Sequence, residues 1–282
     1  DKEIALPDVS VHGALKESGT VGTGNWDLYE DGAMRVHEGI FKWYELRRLA
    51  EKKKIKYFEF EKGCKLSDND NYVILGQREC VSMVGYISAS GATNMINMFA
   101  DLENLRYLNL SGFDTSKVTD MRSMFSGCKA LTSLDVSDLD TSGVTEMGSM
   151  FSDCSALTSL NVSGLDTSGV TYMGSMFSGC SALTSLDVSG LDTSSAVYMH
   201  NMFSGCSALT SLSLSDRHTS MAKDMSSMFS GCKALTFLDV SGLDTSSARY
   251  MNSMFSDCSA LESLDLSSFD TSKVIYMNSM FS

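Results

Sequence analysis

The chain has 282 residues, with 22 Lys and Arg against 35 Asp and Glu, a net charge of −13 and an apolar fraction of 43%. This acid surplus excludes a nucleic-acid partner, because phosphate binding needs clustered Lys and Arg. No apolar run reaches the roughly 20 residues of a spanning helix, so direct membrane insertion of this chain is not expected.

Residues 1–20 lack periodicity and hold the one proline, Pro7, which predicts a leader or linker. From Gly24 to His37 apolar and polar residues alternate around Asp31-Gly32, the signature of a β-hairpin closed by a two-residue type I′ turn. Trp43, Leu46 and Leu49 recur at helical spacing within 42–54, predicting a short amphipathic helix. The basic run Lys52-Lys53-Lys54 then sits at its carboxyl end, where the macrodipole favours cations. A strand is predicted over 55–60. Residues 21–62 are therefore expected to form an N-terminal cap, and 61–91 to supply one or two degenerate coils.

From about residue 92 the chain repeats every 26 residues. The pairs Met98-Phe99, Met124-Phe125, Met150-Phe151, Met176-Phe177, Met202-Phe203, Met228-Phe229, Met254-Phe255 and Met280-Phe281 mark the register. A period in the twenties predicts a solenoid over 63–282, whose coils bury apolar side chains by stacking on one another. Leu131-x-x-Leu134-x-Val136 has the spacing of a leucine-rich-repeat strand, with Ser133, Asp135 and Ser137 facing out. Asp140-Thr141-Ser142 forms a polar corner. Val144, Met147 and Met150 recur every three residues, which predicts a 3₁₀ turn or short irregular helix on the back of the coil. At the second corner Gly127, Gly179, Gly205 and Gly231 alternate with Asp153 and Asp257, which predicts positive φ there.

The motif Met-Phe-x-x-Cys-x-x-Leu-x-x-Leu-x-Val/Leu followed by Asp-Thr-Ser-x-Val/Ala-x-x-Met resembles the BspA-like leucine-rich-repeat proteins of bacterial surfaces. The resemblance is close over 88–282 and weaker over the hairpin at 26–36. It implies an α/β-type solenoid, right-handed, with a parallel strand face and a small hairpin and helix cap. It also implies export to the outside of a bacterium and adhesion to a host or neighbouring-cell protein or glycan. Two coils depart from the pattern: one near Ser88-Ala89-Ser90 lacks the Asp-Thr pair, and His218-Thr219-Ser220 follows Arg217, where local distortion is expected. The chain begins at Asp1 and stops inside a repeat, and it is read as a piece of a longer protein.

Cys128, Cys154, Cys180, Cys206, Cys232 and Cys258 share one repeat position. With neither Cys-x-x-Cys nor a histidine at ligand spacing, they read as small buried thiols rather than a metal site. Cys64 and Cys80 lie outside that column and are either a disulfide or two thiols. Asp135, Asp187, Asp239 and Asp265 stack on the strand face with Asn and Ser between them, a hydrated surface in preference to a calcium ladder. The Asp-Thr-Ser threonines form a column beside charged aspartates, which argues against an ice-binding plane. None of the four histidines sits in a catalytic motif, so no enzyme, metal or cofactor is expected.

The coils differ most between the Asp-Thr-Ser corner and Met-Phe. The column before the first Met runs Asp120, Glu146, Tyr172, Tyr198, Asp224, Tyr250, Tyr276, with Arg249, Arg122 and His200 in the flanking columns. Drift on a solvated face should favour Lys, Glu and Ser over aromatics. Tyr172, Tyr198, Tyr250 and Tyr276, with Glu146, His200, Arg249 and Arg122, are therefore the candidate ligand-binding strip. The alternative is a passive stalk carrying a domain after Ser282.

Overall fold

The computed structural model describes residues 8–66, 79–85, 91–111, 113–215 and 218–282. Pro7, Ser88–Ser90 and Arg217 fall outside them. A 3₁₀ turn, Val9–His12, precedes β1 (Leu15–Val21), β2 (Gly24–Tyr29), β3 (Ala33–Val36) and β4 (Gly39–Phe41). Helix α1 (Trp43–Lys53), β5 (Tyr57–Phe60), β6 (Cys64–Leu66) and β7 (Ser82–Gly85) follow. The expected leader is thus structured from Val9 onward: β1 pairs antiparallel with β2, with a bulge between Leu15 and Glu17. No alternation marks β1 in the sequence, because the strand is mostly exposed and carries Lys, Glu, Ser and Thr.

The hairpin forms with Trp26 opposite Val36 and Leu28 opposite Met34, but its turn differs from the expected one. Three residues, Glu30-Asp31-Gly32, connect the strands, and Gly32 takes φ 89°. Asp31 has no positive φ; its Oδ1 instead accepts from the Ala33 amide at 2.8 Å. Helix α1 stops at Lys54, a left-handed residue (φ 54°) whose amide bonds to the Ala50 carbonyl. Leu46, Ala50 and Ile55 bury the inner face of this crossover, and β3 and β5 pair in parallel.

Two histidines clamp the cap. His12 lies 2.7 Å from the Asp31 Oδ2 and 2.8 Å from the Glu59 Oε1, while Arg35 pairs with the other Glu59 oxygen at 2.7 Å. His37 sits 3.0 Å from both Asp27 and Glu61. Burial works to lower both histidine pKa values, but the paired carboxylates outweigh it and hold both above the usual histidine range.

The cap sheet does not end at the cap. Its order is β1-β2-β3-β5-β7-β8, where β8 (Tyr107–Leu108) belongs to the repeats, so the first coils continue the cap by parallel pairing. Further along, β9 (Ser133–Asp135) pairs in parallel with β10 (Ser159–Asn161), and β11 (Ser211–Ser213) with β12 (Phe237–Asp239). The strand face is therefore built of short tripeptides, with no strand at 185–187 or 263–265.

The unbroken ladder runs on the other side of the coil. Parallel bridges link Asn94, Asp120, Glu146, Tyr172, Tyr198, Asp224, Tyr250 and Tyr276 in turn. The amides of Met121, Ser123, Phe125 and Gly127 donate to the carbonyls of Glu146, Gly148, Met150 and Ser152 in the next coil. The intervening amides of Met124 and Ser126 bond back three residues. These are separate turns rather than the expected 3₁₀ turn or short irregular helix, because Ser123 and its equivalents hold φ near +55°. A left-handed residue in every turn stops helix propagation. The corner residues Gly127, Gly179, Gly205 and Gly231, with Asp153 and Asp257, do have positive φ.

Between the two sides lies one core. Rings of Phe99, Phe125, Phe151, Phe177, Phe203, Phe229 and Phe255 stack with centroids 5.6–5.8 Å apart and planes within 11° of parallel. The adjoining methionines, Met124 and Met150 among them, are fully buried. The corner threonines also point inward: Thr141, Thr167 and Thr219 are buried and donate to the carbonyls of Asp166, Asp192 and Asp244 one coil on, each at 2.9 Å. A buried column cannot be a surface plane for ice.

Phe177→Ala or Met176→Ala should destabilise the fold by about 2–5 kcal/mol in urea unfolding, the usual cost of a buried large-to-small change; a neutral result would remove Met-Phe from the core. The histidine clamps give a second expectation. A group whose pKa is raised on folding stabilises below its unfolded value, near 6.5, and loses that contribution as pH rises through the folded value. Melting temperature should therefore fall from pH 6 towards pH 8, and His12→Gln with His37→Gln should flatten that slope.

A tyrosine-rich ladder as the candidate functional site

The outward residues of the unbroken ladder are held by its parallel bridges, so their Cα positions are set by backbone pairing. Val144, Met147 and Met150 point into the core, which leaves the residues between them facing out. Where the column holds Asp or Asn, the side chain caps the local turn. Asn94 Oδ1 accepts from the Ile96 amide, Asp120 from Arg122 and Asp224 from Ser226, at 2.9–3.1 Å. Tyr has no carboxylate to do this, so the tyrosines are not there to close the turn.

Their rings contact one another across coils. Tyr172 and Tyr198 lie 5.6 Å apart, tilted, and Tyr250 stacks on Tyr276 at 5.6 Å with planes 8° apart. His200 meets Tyr172 edge-on at 5.5 Å, its Nε2 3.2 Å from the phenolic oxygen, and its Nδ1 lies 3.7 Å from Asp224. Tyr172, Tyr198, His200 and Asp224 thus form one cluster over three coils, and Tyr250 with Tyr276 a second. Tyr198, Tyr250 and Tyr276 are exposed, and Tyr172 is half-buried beneath its neighbours.

Two glycines make the shelf for these rings. A Cβ on Gly148 would stand 2.2 Å from the Tyr172 ring, and one on Gly174 2.6 Å from the His200 ring. Arg249 is exposed beside Tyr250. Glu146 is half-buried in the same ladder. Arg122 is turned back on its own coil, its guanidinium paired with Asp120 at 2.6 Å. The candidate strip is therefore partly assembled, with Arg122 committed to a local ion pair. Asp224 and the two glycine shelves join the site although residue type alone does not single them out. The signal for them is positional: Asp224 shares the tyrosine column, and both glycines precede aromatic coils.

The other columns have structural explanations. Each column thiol donates to a phenylalanine carbonyl at the corner, Cys128 to Phe99 and Cys154 to Phe125, both at 3.2 Å. Burial pushes the Cys154 and Cys206 thiols up to about 12, far from thiolate reactivity. Cys64 and Cys80 are also separate buried thiols, bonded to backbone carbonyls of Val36 and Ser82. The strand-face Asp135, Asp187, Asp239 and Asp265 each accept the amide two residues on, at 2.8–3.0 Å. Among the described residues no group of three His, Cys, Asp or Glu side chains is placed to hold a metal ion, and no helix is long and apolar enough to cross a membrane.

Residues 93–216 and 210–282 match the family described as "Mycoplasma protein of unknown function, DUF285". No curated protein matches the chain. Among solved structures, a leucine rich cell surface protein from Faecalibacterium prausnitzii A2-165 is 13% identical, with a TM-score of 0.24 over 90% of this chain and 96% of that one. A TLR13–ssRNA13 complex is 15% identical, with a TM-score of 0.26 over 79% of this chain and 41% of that one.

Alkylation of the folded chain near pH 8 should be slow at the five buried column cysteines, with the half-buried Cys258 reacting first, and after unfolding thiol titration should find at least six. Two or fewer would mean that the column is cross-linked.

Proposed function

Given that this chain belongs to the DUF285 family, we propose that it is a binding module whose tyrosine ladder docks a protein on a neighbouring or host cell. The observation that carries this reading is where the coils differ. Core and corner positions change little (Val for Ala, Gly for Asp), while the outward ladder column exchanges turn-capping Asp for Tyr in four coils. Tyr gives large contact area at low entropic cost and is enriched where protein partners meet. A column of bridged backbone presents it without further ordering, which lowers the cost of binding. The strip comprises Tyr172, Tyr198, Tyr250 and Tyr276, with Glu146, His200 and Arg249 around them. Arg122 contributes only by releasing Asp120.

The surface of a bacterium is the compartment that goes with this reading, following the resemblance of the repeat to BspA-like proteins. The near identity of the remaining columns favours a second reading, a stalk that holds another domain away from the cell. A surface coated with the chain separates the two. Changing Tyr172, Tyr198, Tyr250 and Tyr276 to Ser should reduce cell attachment at least tenfold with only a small loss in melting temperature, since three of the four are exposed and such substitutions cost little, and the half-buried Tyr172 accounts for the loss. Attachment by the variant equal to that of the parent would favour the stalk.

A further inference from the structure

On the strand side, away from the tyrosine ladder, a cleft of about 360 Å³ opens between two coils. A similar hollow of about 380 Å³ lies over the paired strands β9 and β10, lined by serines, leucines, Asp135 and Asn161, so what sets this one apart is Phe237 at its edge and the break in the strand sheet beside it. The Thr210 amide still reaches the Thr184 carbonyl at 3.1 Å, but the next tripeptide, 185–187, forms no strand beside β11. Leu186 and Leu212 floor the gap. Ser185, Asp187 and Ser189 line one wall, Ser211 and Ser213 the other, and Phe237 stands at the edge.

Phe237 departs from its neighbours. The same repeat position is Ser133, Ser159, Ser185, Ser211 and Ser263 in five other coils, and Tyr107 at the first coil beside the cap is the other aromatic in the column. Its ring is 58% exposed and contributes little to the core, so packing does not account for it. It is placed by strand pairing with Ser211, which sets the aromatic beside the hydroxyl row. Asp187 is fixed at the rim by the Ser189 amide, 2.8 Å from its Oδ1.

An apolar ring next to hydroxyls and a carboxylate matches one ligand chemistry closely. A hexose presents a patch of C–H groups on one face and a rim of hydroxyls that both donate and accept. Serine hydroxyls can do either, and a carboxylate accepts. The volume falls in the range of small-ligand sites and suits one or two sugar rings rather than a protein surface. Charge narrows the choice further. The stacked carboxylates of Asp135, Asp187, Asp239 and Asp265, on a chain of net charge −13, repel uronates and sulfated sugars. We infer that this cleft is a subsite for a neutral glycan, with Phe237 as the stacking platform. It is independent of the tyrosine strip.

Saturation-transfer NMR and calorimetry with neutral tetrasaccharides test it, using α- and β-1,4-linked glucose, β-1,4-linked N-acetylglucosamine and α-linked mannose. At least one should bind, while tetragalacturonate should not. Phe237→Ser installs the residue of five other coils and should fold normally, yet weaken binding at least tenfold. Phe237→Tyr keeps a ring and should retain it. The four-tyrosine variant should bind the sugar as the parent does, so failure of one site leaves the other standing. The inference is overturned if no neutral tetrasaccharide binds, if Phe237→Ser binds equally well, or if tetragalacturonate binds more tightly.

Discussion

Everything in this molecule depends on equivalent residues of successive coils lying one above the other in hydrogen-bonded register. An isolated 26-residue coil has an apolar interior too small to bury by itself. Stacking supplies the missing burial, because each Phe finds the Phe of the next coil 5.6–5.8 Å away. The ladder amides hold that spacing: from Met121 onward every second amide leaves its own coil for the next. A slip of one residue would place Ser where Phe or Met must be buried. Register and core therefore enforce each other.

The same constraint explains why polar residues recur so strictly. Asp-Thr-Ser is a corner in which three side chains have three separate tasks. Asp140 accepts the Ser142 amide at 3.1 Å, the Ser142 hydroxyl returns to Asp140 at 2.7 Å, and Thr141 reaches through the core to the next coil. The cysteine column does for the other corner what threonine does here, with a weaker donor in a drier place. The buried threonines and column cysteines are tolerated because each is matched by a carbonyl of the neighbouring coil. The largest changes of residue type fall at outward positions, and that is where the tyrosines and Phe237 occur.

The cap solves the problem of the first coil by edge pairing as well as by covering. Strands β3, β5, β7 and β8 run parallel in one sheet, so the cap presents the backbone pattern that a preceding coil would present. The carboxylate-clamped histidines tie β2, β3 and the segment after β5 together across that sheet. Covering an open strand edge in this way also limits edge-to-edge association.

The 26-residue period, the buried Met-Phe pair, the thiol column and the positive-φ corner could all be read from residues alone. Each rests on a local rule, such as periodic burial or the conformational range of Gly and Asp, and repetition over many coils averages out the exceptions. Three features could not be read that way. The strand in 15–21 is hidden by its exposed, polar composition, and pairing with β2 decided it. The back of the coil follows a spacing of three that a helix, a 3₁₀ turn or a run of β-turns would share; inter-coil hydrogen bonding selected the last. Finally, the sequence could place four tyrosines in one column, but not which rings would touch. That depended on Gly148 and Gly174 clearing space in the preceding coil, and on Asp224 dividing the column into two clusters. Such contacts join residues 24 or more apart, and no local rule reaches that far.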